Sequence, residues 1–171
     1  MLLQDVDGKA ETQTATQDLL LGECYYLLKK FGEARPHYVR AIRNLPAGKN
    51  RVAAEQRLVK VLYLVKDFGG ALERIDSFLD RNAGHRGTGS MRVYRMMILS
   101  LQKTPDTAEI EALHKSVRNK VATYGPAAGM EADRVLSSHY QKTGELEKGV
   151  IALRRQNVGV LSWFSSAFAV S

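Results

Sequence analysis

Cysteine and proline are scarce in this chain of 171 residues. The single cysteine, Cys24, has no partner for a disulfide within the chain, so we expect a protein of a reducing compartment and assign it to the cytoplasm. We expect its thiol to be buried or half-buried in a helix. Only four prolines are present, and no stretch alternates polar and apolar residues in the manner of a strand. The sequence therefore predicts an all-α fold.

Long apolar runs are also absent. No stretch reaches the ~18 uncharged apolar residues of a membrane span. The N-terminus carries Asp5 and Asp7 where a secretory signal has basic residues, so no signal peptide is predicted. Residues 158–170 are uncharged and include the only tryptophan, Trp163. We expect this tail to form a helix that caps the last helix pair; the start of a further repeat, or a membrane-surface or oligomer contact, is the alternative.

Signatures of catalysis and of metal binding are missing as well. The histidines lie far apart, without His-x3-His or Cys-x2-Cys spacing: His37, His85, His114 and His139. Residues 84–90 resemble a phosphate loop but lack its Gly-Lys-Ser/Thr ending, so we expect a connection in which Ser90 caps the next helix. No serine or cysteine lies in a nucleophile signature. We predict a protein that is not an enzyme and that has no catalytic residue, cofactor or metal.

What the chain does contain is a helical hairpin. Leu21, Tyr25 and Leu28 recur at three- and four-residue steps, which predicts one face of a helix. Thr14, followed three residues later by a glutamine, is the expected N-cap. Gly22 lies on the same face, where the missing side chain allows a second helix to approach closely.

A second helix is predicted to follow directly. Phe31 and Gly32 break the first helix, because glycine is the usual residue at a helix C-terminus. Ala34, Tyr38 and Ala41 then form the stripe that packs against the first helix. Pro46 ends the hairpin, because a helix seldom continues past the residue before a proline.

The spacing from Leu21 to Pro46, L-G-x2-Y-x8-A-x3-Y-x2-A-x4-P, resembles the tetratricopeptide repeat, a helix-turn-helix of about 34 residues. Ala71 corresponds to Ala34 at a separation of 37 residues. The resemblance implies a right-handed α-solenoid of about four antiparallel helix pairs: residues 13–45, 51–82, 90–124 and 129–156. We accordingly predict a flexible N-terminus (1–12), a repeat domain (13–156) and an apolar tail or capping helix (157–171).

In this family the first helix of each pair lines a groove that receives a peptide. The resemblance implies that six residues face such a groove here: Leu19, Glu23, Tyr26, Gln56, Lys60 and Tyr63. Chaperone-binding members hold a C-terminal carboxylate with lysine and asparagine. Leu19 and Glu23 stand in their places here, so the resemblance does not extend to that function.

Positive charge is concentrated between Lys29 and Lys66. This stretch carries a net charge of +8 in a chain whose total is +7. Five arginines are expected to form a basic surface: Arg35, Arg40, Arg43, Arg51 and Arg57. Such a surface attracts acidic partners, although a charge run is most often a solvated face.

We therefore predict a non-catalytic interaction module or scaffold that binds a peptide or partner helix in its groove, with residues 29–66 favouring an acidic partner. One alternative is an RNA- or DNA-binding accessory protein that uses the same basic surface. Another is a regulatory or targeting fragment of a larger protein. The pattern leaves the oligomeric state open.

Overall fold

The computed structural model describes the backbone of residues 2–152 and 154, and side chains from residue 13 onward within that range. All regular structure in these residues is helical, which confirms the prediction of an all-α protein. The helices are α1 (Leu2–Leu27), α2 (Phe31–Asn44), α3 (Lys49–Leu64), α4 (Phe68–Arg81), α5 (Thr88–Leu99), α6 (Thr107–Arg118), α7 (Val121–Tyr124), α8 (Pro126–Thr143) and α9 (residues 146–152). The chain divides into unit 1, Met1–Ala83, and unit 2, Gly84–Ser171.

The start of α1 differs from the prediction. The helix is continuous from Leu2, so Thr14 lies inside it and is not its N-cap. Residues 2–12, which we assigned to a flexible segment, belong to this helix. They contain no proline and a single glycine, so no strong breaker precedes Thr14.

The turn between α1 and α2 also lies earlier than predicted. Lys29, with φ of 58°, takes the left-handed conformation at the end of α1, whereas we expected the break at Phe31 and Gly32. Gly32 lies in the first turn of α2. Lys66, 37 residues later, has φ of 62°. After each lysine, the next amide donates to the carbonyl five residues back at 2.9 Å. The same backbone turn therefore ends α1 and α3.

Unit 1 packs consecutive helices against one another: α1 on α2, α2 on α3, and α3 on α4. Ala34, Tyr38 and Ala41 are fully buried, as the stripe predicts. A Cβ placed on Gly22 would lie 3.0 Å from the Tyr38 ring, which confirms the expected close approach. α2 ends two residues before Pro46, also as expected.

The first helix face was only partly predicted. Tyr25 is half-buried and stacks on the His37 ring with centroids 5.3 Å apart. Leu21 and Leu28, assigned to the same face, are exposed. Cys24, expected to be buried or half-buried, is exposed as well. The packed face of α1 is centred on Gly22 instead, because small residues allow α2 to approach there.

In unit 2, α5, α6 and α8 each pack against the other two. The predicted cap residue is displaced: α5 begins at Thr88, so Ser90 lies inside it. α6 is capped by Asp106, whose carboxylate accepts from the amide of Glu109 at 3.0 Å. α6 ends at Arg118, and the short α7 covers the end of the predicted pair 90–124.

Gly125, with φ of 88°, separates α7 from α8, as the Tyr-Gly-Pro sequence indicates. Among the described residues, no helix combines the length and apolar character needed to cross a membrane. The predicted apolar tail, residues 157–171, lies outside the described part of the chain.

Candidate partner-binding surface on unit 1

Three of the predicted groove residues meet between α1 and α3. The Arg57 guanidinium lies 4.9 Å from the centre of the Tyr26 ring, and the Lys60 ammonium lies 5.2 Å from it. Arg57 Nε also donates to Glu23 Oε1 at 3.0 Å. Both cations therefore lie against one aromatic ring, a favourable electrostatic arrangement.

Glu23 joins three helices. Besides its ion pair with Arg57 on α3, its Oε1 accepts from the hydroxyl of Tyr38 on α2 at 2.9 Å. Burial of Tyr38, followed by this hydrogen bond, raises the pKa of the Tyr38 hydroxyl, so it stays protonated and donates. Glu23 thus holds the surface together, a role that the groove assignment did not anticipate.

Aromatic pairs flank this surface at two equivalent places. Tyr26 lies against Phe31 with ring centroids 5.6 Å apart, and Tyr63 lies against Phe68 at 5.9 Å. The two pairs are separated by 37 residues. This is also the interval between the turns at Lys29 and Lys66, which we call the lysine turns. The other predicted groove residues, Leu19 and Gln56, are half-buried on the same two helices.

The arginines of the predicted basic surface are mostly paired within the protein. Their carboxylate partners and shortest N···O distances are Asp67 for Arg35 (3.0 Å), Asp18 for Arg40 (2.8 Å), Glu55 for Arg51 (3.7 Å) and Glu23 for Arg57 (3.0 Å). Three of these carboxylates, those of Asp18, Glu23 and Asp67, lie outside the 29–66 stretch. With these three acids and with Arg81, which pairs with Glu55 of the stretch, the local net charge is +6 instead of +8. Charge counting along the sequence overestimated the basic surface because it could not include these acids.

The lysines of the same stretch differ from the arginines. Lys60 is half-buried, and the other four are exposed: Lys29, Lys30, Lys49 and Lys66. In the part of the chain that the structure describes, none of them forms an ion pair. Arg43, in the last turn of α2, is likewise exposed and pairs with no described carboxylate. These are the bases that an acidic ligand can reach without displacing an internal partner.

The sequence interpretation missed a buried carboxylate in each helix pair of unit 1. Asp18 on α1 accepts from Nε and Nη2 of Arg40 on α2, at distances down to 2.8 Å. This hydrogen bonding holds the pKa of the Asp18 carboxyl below its usual range. Glu55 on α3 accepts from Arg81 on α4 at 3.0 Å. Each carboxylate links the first helix of a pair to the second.

Unit 2 also has a buried carboxylate that links two helices. Asp133 on α8 lies 2.7 Å from Nε2 of His114 and 3.5 Å from Nη1 of Arg118, both on α6. A signal for all three acids was present in the sequence, since each stands three residues before a leucine: Asp18, Glu55 and Asp133 precede Leu21, Leu58 and Leu136. An isolated acid on a helix is usually exposed, so the pattern has meaning only once the burial is known.

The histidines serve in this internal bonding. His37 Nδ1 lies 2.8 Å from Asp18 Oδ1, and His139 Nε2 lies 2.9 Å from the hydroxyl of Thr107. Burial lowers the pKa of His139, so its ring is neutral near pH 7. Among the described side chains, no group of three or more His, Cys, Asp and Glu residues is placed to hold a metal ion.

Comparison with protein-family models, with curated proteins and with solved structures found no match to this chain. Membership of the tetratricopeptide family therefore stays a prediction from the residue pattern.

Proposed function

We propose that unit 1 is a non-catalytic protein-interaction module, similar to a tetratricopeptide repeat, that binds an acidic peptide or partner helix along α1 and α3. The observation that carries the proposal is the surroundings of Tyr26. Its half-buried ring has two cations beside it, of which Arg57 is held by Glu23 and Lys60 forms no ion pair with a described residue.

The internal repetition of unit 1 supports the family resemblance. The lysine turns and the tyrosine–phenylalanine pairs both recur at an interval of 37 residues, and α2 and α4 each span 14 residues. A repeat of about 34 residues with a lengthened connection accounts for this interval. Repeats of this kind expose an extended surface suited to peptide binding.

Arg57 and Lys60 have different roles in the proposed mechanism. Arg57 is a positioning residue, because its bond to Glu23 fixes α3 against α1 beside the Tyr26 ring. Lys60 supplies the charge that meets a carboxylate of the partner. The half-buried tyrosines, Tyr26 and Tyr63, offer apolar area with little loss of side-chain entropy. Charge then contributes mainly to the association rate and to the choice of an acidic partner.

A charge-reversal experiment tests this mechanism. The full chain is first used to select binders from a library of peptides of about 15 residues, in which every glutamate-containing peptide has a glutamine counterpart. Dissociation constants of the selected peptides are then measured by fluorescence anisotropy at about 50 and about 300 mM salt. We expect acidic peptides to be enriched, and Lys60→Glu to weaken their binding about tenfold at the lower salt concentration.

Arg74→Glu is the matched control, because Arg74 is exposed on α4 and the change in net charge is the same. Equal effects of the two variants, or no preference for acidic peptides, would contradict the proposal. Retention of labelled RNA at low salt in a filter-binding assay, without peptide binding, would favour the nucleic-acid alternative instead.

A further inference from the structure

α1 exposes an apolar face on the side directed away from its packed residues. Five side chains form this face: Leu20 (60% exposed), Leu21 (46%), Cys24 (exposed), Leu27 (74%) and Leu28 (65%). At about 100° per residue, they cover about 120° of the helix surface. Ala15 and Gly22, both buried, lie on the opposite side. We call these five residues the outer face of α1.

The order of residues on the outer face is the same from either end. In the segment LLGECYYLL, Leu20 and Leu28 stand four residues from Cys24, and Leu21 and Leu27 stand three residues from it. Cys24 is also at the centre of the arc around the helix. An interface with a two-fold axis must be self-complementary: where residue i of one copy contacts residue j of the other, residue j of the first copy contacts residue i of the second. Two copies of this segment satisfy that condition when they pack antiparallel.

We propose that the outer face of α1 binds a second copy of this chain as an antiparallel helix pair, with the two-fold axis at Cys24. Leu20 of one copy then lies opposite Leu27 of the other, Leu21 lies opposite Leu28, and the two Cys24 side chains face each other. An unrelated partner would not require this reversed symmetry.

The charges at the end of α1 favour the antiparallel direction. Lys29 and Lys30 are exposed immediately after the outer face, whereas Asp18 and Glu23 are bound to arginines of unit 1. In an antiparallel pair the two lysine clusters lie at opposite ends, about 16 Å apart along the axis at 1.5 Å per residue. This distance exceeds the Debye length of about 8 Å at physiological salt. A parallel pair would place the like charges side by side.

The size of the face predicts the strength of association. The five side chains together expose an area on the order of a few hundred Å², comparable to the largest apolar patch of a typical monomer, which is often functional. This is about half of the ~800 Å² that each partner contributes to a standard interface. The outer face is therefore the apolar centre of a weak dimer whose population depends on protein concentration.

The proposed axis also makes a geometric prediction for Cys24. Cα atoms lie about 2.3 Å from the helix axis, so helices packed about 9 to 10 Å apart bring facing Cα atoms to about 4.4 to 5.4 Å. That separation falls within the range of about 4.4 to 6.8 Å that a disulfide spans. Because the chain has one cysteine, a disulfide-linked dimer can form only between two Cys24 residues.

Sedimentation equilibrium of the full chain under reducing conditions tests the association, from about 1 to about 300 μM, because the dimer population follows concentration. We expect a monomer–dimer equilibrium that Leu27→Glu weakens at least tenfold, since it buries an unpaired carboxylate twice in each dimer. Leu146→Glu is the matched control, because Leu146 is 61% exposed on α9 and should leave the equilibrium unchanged. Far-UV circular dichroism establishes that each variant is folded.

Cross-linking tests the position of the axis. Diamide accepts the two electrons and two protons released when two thiols join, and we expect it to convert the chain to a covalent dimer at least tenfold faster than it converts Leu27→Glu. A chain that is monomeric throughout the range overturns the proposal, and association without faster cross-linking overturns the axis at Cys24. Association that survives Leu27→Glu but is lost in Trp163→Ser would assign the interface to the C-terminal tail and overturn the proposal as well.

Discussion

Unit 1 and unit 2 each contain a buried carboxylate that links two helices, but the carboxylates have different partners. In unit 1, Asp18 binds an arginine of the following helix, and that guanidinium is half exposed to solvent. In unit 2, Asp133 on α8 is completely inaccessible and binds His114 and Arg118 of α6, an earlier helix. A buried acid can thus link two helices in either direction along the chain. The two sites differ in how much contact with water their charged groups keep.

The units also differ in how closely their helices approach at glycine. In unit 1, the nearest atom to a Cβ on Gly22 would belong to the Tyr38 ring, at 3.0 Å. In unit 2, a Cβ on Gly89 would lie 2.6 Å from Tyr124 Cβ and 3.1 Å from Ala128 Cβ. A ring can shift by rotation, whereas a Cβ moves only with its backbone. We therefore expect an alanine in place of Gly89 in unit 2 to be tolerated less well than an alanine in place of Gly22 in unit 1.

Replacing each of the two carboxylates should give the largest difference in stability loss between the units. We expect Asp133→Ala to lower the free energy of unfolding by about 3 kcal/mol, because it leaves His114 buried without its partner. Asp18→Ala should cost only about 1 kcal/mol, because the exposed Arg40 returns to water. Urea unfolding followed by circular dichroism measures both. Glu131→Ala, which removes an exposed acid from α8, is the control and should change stability little. Equal costs for the Asp133 and Asp18 variants would remove the distinction.

Glycine-to-alanine substitutions should show the next largest difference. We expect Gly89→Ala to destabilise the protein by about 2 kcal/mol, because α5 must move away from Tyr124. Gly22→Ala should be close to neutral, because the gain in helix propensity of about 1 kcal/mol offsets the shift of the Tyr38 ring. Gly32→Ala is the control in open space and should stabilise α2 slightly, by less than the full penalty of a glycine in the middle of a helix, because Gly32 lies in the first turn. Thermal unfolding midpoints measure the series; a Gly89 variant as stable as the wild type would show that α5 is not tightly constrained.

The smallest expected difference between the units is in how their stability changes with acidification. The pKa of His139 is lowered in the folded protein, so the unfolded chain takes up the proton first. The stability that depends on the neutral His139 ring is therefore fully present above the ordinary pKa of 6.5. It is lost as the pH falls through the pKa that His139 has in the folded protein. The pKa of Asp18 is also lowered in the folded protein, but the stability that depends on its ionised carboxylate is lost only below its ordinary pKa of 3.8.

Hydrogen exchange of α8 amides from pH 7.5 down to about pH 5 measures this difference locally. We expect protection in α8 to fall over this range in the wild type and to fall less in His139→Gln. Protection in α1 should not change through Asp18, because that carboxylate stays ionised in both folded and unfolded states over most of this range. If the protection of α8 amides falls with pH as steeply in His139→Gln as in the wild type, the fall does not arise from His139.

Local patterns predicted unit 1 better than unit 2. The stripe from Ala34 to Ala41 and the close approach at Gly22 depend on residue size and helical period, which a sequence shows directly. The helix boundaries were less predictable, because a left-handed turn can be formed by Lys29 although glycine is the commoner choice. The exposed Leu21 carries the same apolar signal as a buried leucine, so periodicity alone could not assign it.

The candidate surface was predictable only as a set of residues on two helices. The sequence places Tyr26 and Lys60 on first helices of successive pairs, and the structure brings them together. The ion pairs were not predictable, because Glu23 and Arg57 are 34 residues apart and many other pairings were possible. Charge counted along residues 29–66 therefore overestimates the charge that this surface presents.

The shared carboxylate of Glu23 has a consequence for the order in which unit 1 assembles. The lysine turns close over a few residues and can form early, whereas Glu23 bonds to both Tyr38 and Arg57 only after three helices have met. An interaction that forms after the folding barrier slows unfolding without accelerating folding. Glu23 is thus expected to lengthen the lifetime of the assembled unit more than it affects the speed at which the chain reaches it.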